Sequence, residues 1–335
     1  MLDADNQFTQ PFQKGQLKGA IEQTHHCTLK DTVKDNSFQV NASTQHPQSF
    51  YSHPSGELWL GDAIAWLKTL PSASVDLVFA DPPYNLKKAE WDTFTSQQAY
   101  VEWSMQWIEQ VSRILKPSGT LYVCGFSEIL ADLKVSASQL FQGCRWLIWH
   151  YKNKANLSND WGRSHESILH FRKSKEFYMD VDHVRIAYGE HTLKYPDHPQ
   201  AKTSQYSKGN PTSHKTASRW VPHPKGAKPR DVIEIPTTCN GMQEKTQHPT
   251  QKPEELVRKF ILASSKRGDL IVDPFLGSGT TAIVAEQLGR RWLGCDINAE
   301  YLKWAVQRVE NAQHRSDEEW FWFDRKNEER RKSIR

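Results

Sequence analysis

The 335-residue chain, of 38.7 kDa, carries 43 Lys/Arg against 39 Asp/Glu, a formal charge of +4. That length suits one large α/β domain with an insertion, and so small a charge excludes a uniformly basic nucleic-acid coat. No apolar run is long enough to span a bilayer, no signal-peptide pattern opens the chain, and the five scattered cysteines form no CxxC pair, so a soluble protein without a membrane partner, disulfide scaffold or metal site is expected.

Residues 1–54 are rich in Gln, His, Thr and Asn and read as a flexible extension. Glu57–Asp62 then reads as a strand ending in Gly-Asp, followed by helical spacing over Ala63–Leu70, for which Asp62 has the chemistry of an N-cap. Val75–Ala80 has the length and the β-branched and aromatic content of a buried strand, and Pro82-Pro83 stops it. The turn Asp81-Pro82-Pro83-Tyr84 thus joins a carboxylate, a donor-free carbonyl (Pro82) and an aromatic ring at a strand's carboxyl end, where open α/β sheets bind ligands. The grouping suits one task. An exocyclic amine on a nucleobase is a poor nucleophile because its lone pair is delocalised; two acceptors on its N–H groups localise that pair, and a tyrosine face holds the base by stacking.

Asn85–Phe94 reads as a loop over this turn, in which Trp91 and Phe94 pin the loop or, as the alternative, stack on a base. Ser96–Leu115 is helical, with Tyr100, Trp103, Trp107, Ile108 and Val111 on one face as core. Thr120–Cys124 is a strand and Ser127–Leu133 a helix. Arg145–His150 and Ser167–Phe171 form a strand pair; His165-Glu166 before the second lacks the spacing of HExxH and reads as structural. Over Arg172–Arg230 the character changes: twelve Lys/Arg face five Asp/Glu, with few aliphatics. A basic, weakly hydrophobic insert suits a segment that orders on DNA phosphates; Arg185, Arg219 and Arg230 have the donors for guanine, and Asn210 and Gln205 those for adenine.

Asp231–Pro236 is a short strand. In His248-Pro249-Thr250-Gln251-Lys252-Pro253, Thr250 or Gln251 is a helix cap, Pro253 opens the helix Glu254–Ser265, and Lys252 is free to face an anion. Asp269–Thr281 then reads strand, glycine loop (Gly277, Gly279) and helix, and a second strand, Arg291–Cys295, ends at Asp296. A carboxylate there is the ribose-hydroxyl position of nucleotide-type folds. No Lys follows Gly279, which excludes a Walker loop, and only two of the three glycines of a dinucleotide site are present. Asn298–Ala312 is helical, and residues 313–335 read as a charged tail in which the aromatic cluster Trp320–Phe323 covers the domain surface or a partner and the terminal Arg330, Arg331, Lys332 and Arg335 are solvated.

Taken together, Asp81-Pro82-Pro83-Tyr84 and Asp273-Pro274-Phe275-Leu276-Gly277-Ser278-Gly279-Thr280 resemble the catalytic and S-adenosylmethionine motifs of the DNA amino-methyltransferases, in the order called the β class. The resemblance covers about residues 56–172 and 245–310. It implies an α/β, Rossmann-like class I methyltransferase fold: a mostly parallel sheet with an antiparallel edge hairpin, circularly permuted so that a catalytic half (55–171) precedes a cofactor half (246–312), with a target-recognition insert (172–245) between them. It further implies S-adenosyl-L-methionine as cofactor, held by Asp273, Phe275, Gly277, Gly279, Thr280 and Asp296, with Asp62 near its adenine and Thr250, Gln251 and Lys252 near its methionine carboxylate. Asp81, Pro82, Pro83 and Tyr84 are the implied catalytic residues, acting by direct in-line transfer to a base flipped out of duplex DNA.

Asp at the first motif position is the usual form for N6 of adenine in that family and Ser the usual form for N4 of cytosine, so adenine is expected and cytosine is the alternative. No cysteine follows a proline, which disfavours transfer to a ring carbon. Two further readings differ in class: a DNA-binding module with lapsed catalysis, and an RNA or protein-amide methyltransferase. The expected setting is the cytoplasm of a prokaryote, at the nucleoid, with duplex DNA as partner. A cognate restriction endonuclease is compatible with the resemblance, as are a monomer and a homodimer.

Overall fold

The computed structural model describes residues 46–85, 94–152, 161–194 and 222–333. Most of the expected N-terminal extension, Trp91, Gln205, Asn210 and Arg219 lie outside the described residues. In chain order the elements are β1 (Gln48–His53), β2 (Gly56–Leu60), α1 (Ala63–Thr69), β3 (Val75–Ala80), α2 (Gln97–Ile114), β4 (Leu115–Gly125), α3 (Ser127–Ala137), β5 (Gly143–His150), β6 (His165–Arg172), α4 (Glu190–Lys194), β7 (Val232–Glu234), α5 (Glu254–Ser264), β8 (Leu270–Asp273), α6 (Thr280–Gln287), β9 (Arg291–Asp296), α7 (Ala299–Glu310) and α8 (Asp317–Ser333).

All nine of these strands join one sheet, in the order β1-β2-β9-β8-β3-β4-β6-β5-β7. The five from β2 to β4 are mutually parallel; β6 pairs antiparallel with both β4 and β5, the expected edge hairpin. From β8 the chain passes to β9 on one side, and from β3 to β4 on the other. The β8/β3 boundary is therefore a topological switch point, where the crevice outside the carboxyl ends takes ligands. Register fixes the neighbourhood: Val78 stands opposite Val272. Asp76 locks it further, accepting from Lys116 Nζ at 2.8 Å on both oxygens and from the Leu270 N–H at 2.9 Å.

The period-two alternation of β3 explains the two cores. Leu77 and Phe79 point to the face packed with Phe260, Ile261, Val284 and Leu302 of α5, α6 and α7. Val78 and Ala80 point to the opposite face, with Trp66, Trp107, Val111 and Leu130 of α1, α2 and α3. No helix among the described residues is long and apolar enough to cross a membrane.

Two parts of the fold differ from expectation. Gln48–His53, placed by the sequence in the extension, pairs antiparallel with β2 and extends the sheet. Residues 317–333, expected as tail, are a helix packed on the domain. Trp320 and Phe321 are buried, Arg258 of α5 donates to both oxygens of Asp324 at 3.0 and 3.2 Å, and Arg331 clasps Glu255. The same helix reaches the insert: Arg325 donates to the Arg185 and Lys225 carbonyls, and Lys225 pairs with Glu318. The terminal arginines looked solvated because a partner such as Glu255, which takes Arg331, is 76 residues away in the chain.

Removing one partner from a buried ion pair strands the other. Asp324→Ala should therefore destabilise the protein by about 3–5 kcal/mol, measured as the shift in a urea unfolding curve, whereas Lys303→Ala on the exposed side of α7 should cost about 1 kcal/mol or less.

Candidate active site

A cavity of about 670 Å³ opens at the switch point, lined among others by Asp81, Pro82, Tyr84, Glu166, Lys252, Asp273, Gly277 and Asp296. The two motifs, remote in the chain, meet here because β3 and β8 are neighbours.

On the β8 side, Asp273 receives the Phe275 N–H at 2.9 Å and the Thr281 hydroxyl at 2.5 Å. Asp296, at the end of β9, receives the Gly277 N–H at 2.8 Å and the Asn298 N–H at 2.9 Å, so it fastens the glycine loop as well as its own turn. Gly277 has φ 53° and lies over His248; a Cβ there would stand 3.0 Å from His248 Nε2. Gly279 has φ 82°, and a Cβ would meet the Ala305 Cβ at 2.5 Å. Gly279 thus lets α6 and α7 pack closely, and its neighbours Ser278 and Thr280 line the cavity.

On the β3 side, Tyr84 donates its hydroxyl to Asp81 Oδ1 at 2.6 Å and lies 3.3 Å from Glu166 Oε2. Lys252 donates to Asp81 Oδ2 at 2.6 Å and stands 3.5 Å from Glu166 Oε2. Burial pushes the Tyr84 phenol well above its ordinary pKa, with Asp81 and Glu166 adding to it, so the hydroxyl remains a donor. Burial alone would lower Lys252, but Asp81 and then Glu166 outweigh it and hold the ammonium protonated. Phe126, which also lines the cavity, meets Tyr84 edge-on at 5.1 Å and carries the Arg163 guanidinium on its ring at 3.8 Å.

The comparisons with known proteins agree with this geometry. Residues 75–307 match the family model N6_N4_Mtase, described as DNA methylase. The chain belongs to the N6/N4 DNA methylase family. It is similar to the type II methyltransferase M1.MboII of Moraxella bovis, with 35% identity over 252 residues, 72% of this chain and 91% of that protein. It is similar also to the DNA adenine methyltransferase YhdJ of Escherichia coli K12, with 33% identity over 270 residues, 77% of this chain and 84% of that one. Among solved structures, PvuII DNA methyltransferase (cytosine-N4-specific) shares the fold, with a TM-score of 0.57 and 21% identity over 77% of this chain and 87% of that one. A Thermus thermophilus protein solved with S-adenosyl-L-methionine bound gives 0.50 at 23% identity, covering 76% and 92%.

Within this DNA methylase several expected residues have other employment. Lys252 faces an anion, but the anion is Asp81. The Gln251 amide is spent on the loop before it, accepting from Thr246 N and Oγ1 at 2.8 Å and donating to the Glu244 carbonyl at 2.6 Å. Neither Thr250 nor Gln251 caps α5, whose N-cap is Pro253; Glu244 accepts the Glu254 N–H instead. Thr250 lines the cavity, and its N–H donates to His248 Nδ1. Thr280 lines it too, donating to the Lys252 carbonyl and accepting from Arg308. Asp62 caps α1 through the Ala65 N–H at 2.8 Å and also lines the cavity. Phe275 packs on Trp103 and Trp107 at the cavity wall, and Phe94 packs against Tyr100 and Trp103, while residues 86–93 before it lie outside the described residues.

In the insert, Arg185 is bound to Asp182 and the Gly226 carbonyl, so it braces the fold and is not free for guanine, whereas Arg230 is exposed. Sequence reasoning missed His248, whose ring lies under Gly277 and edge-on to Tyr301, with a pKa pushed down by burial to about 4. Glu166, read from the sequence as structural, lines the cavity and stands 3.5 Å from Lys252 Nζ.

Burial raises Asp273 to about 7 and Asp296 to about 6, against the hydrogen bonds that lower both. A carboxyl whose folded pKa exceeds the unfolded value binds more protons in the native state, so its stabilisation is full below the unfolded value and is lost as pH rises through the folded one. The stability these two carboxyls contribute should therefore be lost as pH rises from about 4 to about 7, each group losing up to about 1.4 kcal/mol per pH unit, and in the cofactor-free protein Asp273→Asn should make the melting temperature fall less steeply over that range.

Proposed function

We propose that this DNA methyltransferase transfers the methyl group of S-adenosyl-L-methionine to N6 of adenine in duplex DNA. The observation that carries the reading is the convergence of the Asp81 turn and the Gly277 loop on one cavity at the β3/β8 boundary. S-adenosyl-L-methionine supplies an electrophilic methyl on a sulfonium, and the donor set fits it: Asp273 and Asp296 are carboxylates for its ammonium and ribose hydroxyls, and the positive-φ Gly277 lets backbone approach it closely.

The remaining work belongs to the chain. A base in a duplex is stacked, and its amine is reached only after flipping. Tyr84 and Phe126 give the flipped base aromatic surface, worth about 1–3 kcal/mol per stacked base. Asp81 accepts one amine N–H and the Pro82 carbonyl the other, and the nitrogen is held where its lone pair can react; catalysis is then orientation and electrostatics. Adenine is favoured by Asp at position 81, and the name of the Escherichia coli relative agrees. N4 of cytosine is the second reading, since that amine offers the same two donors. The type II name of the Moraxella relative supports a cognate restriction endonuclease as partner and prokaryotic cytoplasm as the setting.

Nuclease digestion and mass spectrometry of DNA from cells expressing the protein should give N6-methyladenine; N4-methylcytosine in its place overturns the adenine assignment. Asp81→Ala should lower methyl transfer by about 10²–10³-fold or more while leaving the cofactor's dissociation constant within about twofold of wild type, both read with the methyl-labelled cofactor.

A further inference from the structure

Glu166 opens the inner edge of the hairpin. It stands on β6 opposite Trp149, whose indole donates to the Ile235 carbonyl at 2.8 Å and pins that corner of the cavity. From there its carboxylate reaches the catalytic turn. Around one ammonium, that of Lys252, are gathered two carboxylates and a phenol: Asp81 Oδ2 at 2.6 Å, Glu166 Oε2 at 3.5 Å, and Tyr84, whose hydroxyl lies within 3.3 Å of both acids. The Lys252 side chain is 6% exposed, against 17% for Glu166 and 18% for Asp81, so the cation is the deepest of the three and both acids border the cavity.

A Lys–Asp pair alone would be a poor receiver for an amine. Its formal charges cancel, and the oxygen that should take an amine N–H is already bound to the strongest donor available. As the amine's lone pair is spent, positive charge grows on that nitrogen, and a neutral pair does little to stabilise it. A second acid changes the balance: two carboxylates around one ammonium leave a net negative charge in the cavity lining. The geometry also gives the ammonium somewhere to go. To bond Glu166 it need close only from 3.5 Å to the ordinary charge-assisted distance of about 2.8 Å, a shift that rotation of its flexible stem supplies.

Resting on the reading of Asp81 as the amine's acceptor, we propose that Glu166 is a positioning residue for methyl transfer: it is the second seat of the Lys252 ammonium and draws it from Asp81 as the target amine docks. Asp81 then meets the amine with its negative charge available. Glu166 makes and breaks no covalent bond, and the proposal holds for either target base.

The test uses the full-length protein, the methyl-labelled cofactor and DNA from a methylation-deficient bacterial strain. Under single-turnover conditions Glu166→Gln should slow transfer at least about tenfold with the cofactor's dissociation constant unchanged within about twofold, and Glu166→Asp should recover part of the rate. Incorporation followed over hours reads the slow variants. In a Lys252→Met background, adding Glu166→Gln should cost less than about threefold, because its effect runs through the lysine. A Glu166→Gln rate within about twofold of wild type overturns the proposal. So does an equal loss in both backgrounds, or a loss matched by weakened cofactor binding and a lowered melting temperature. If Asp81→Ala stays active, the reading of Asp81 itself has failed; if it is inactive while Glu166→Gln is not, only the proposal here has.

Discussion

Two parallel strands, β3 and β8, lie side by side and lead the chain to opposite sides once they end. That divergence opens a crevice between their carboxyl ends, and each strand delivers a carboxylate to it: Asp81 just past β3 and Asp273 at the tip of β8. Acids so close need opposing charge, hydrogen bonds or protons. The three are divided between the two sides. Asp81 has Lys252 and Tyr84, while Asp273 has only neutral donors and keeps its proton to about pH 7. An incoming cationic cofactor therefore meets a site whose negative charge is partly held in reserve.

The glycine loop is held by packing as much as by its own sequence. Gly277 and Gly279 both take left-handed backbone, which a side chain would strain, and their neighbours His248 and Ala305 occupy the space a side chain would need. Arg308 of α7 fixes the far side of the loop, donating to the Ser278 carbonyl and Thr280 Oγ1 and pairing with Glu254 of α5. Three helices thus converge on four residues of loop. Rigidity there keeps the backbone donors of the cofactor half at fixed distance from the turn after β3, which two stiff prolines define.

What could be read in the sequence was whatever depends on local order. The buried strand before Asp81, the α2 stripe and the strand–loop–helix at Asp273 all follow from periodicity and from Pro and Gly punctuation, and the structure places them within a residue or a few of expectation. The roles of single polar side chains were not legible, because they depend on neighbours distant in the chain. Lys252 and Asp81 are 171 residues apart, and nothing near Lys252 says that its anion is a protein carboxylate rather than a ligand. Gln251 looked like a cap because its spacing before α5 allows one; a loop seven residues upstream claimed its amide. Arg185 looked free because the Gly226 carbonyl that holds it comes from the other limb of the insert.

The same logic accounts for α8. A long insert between β6 and β7 has few aliphatic residues with which to anchor itself, and its described limbs meet through polar contacts: the backbone bridge of Ile186 with Ala227, Arg185 on the Gly226 carbonyl, and the His223 N–H on the Tyr188 hydroxyl. Such a segment, if tethered only at its ends, would carry any DNA-reading groups at poorly defined positions. The C-terminal helix meets this need from outside the insert: its buried face packs on α5 through Trp320 and the Arg258–Asp324 pair, while Arg325, Glu318 and Glu328 hold the backbone and side chains of both limbs. One rigid element then spans from the helix that follows Lys252 to the base of the insert. Polar contacts suit this task better than apolar ones, because each arginine fork fixes direction as well as distance.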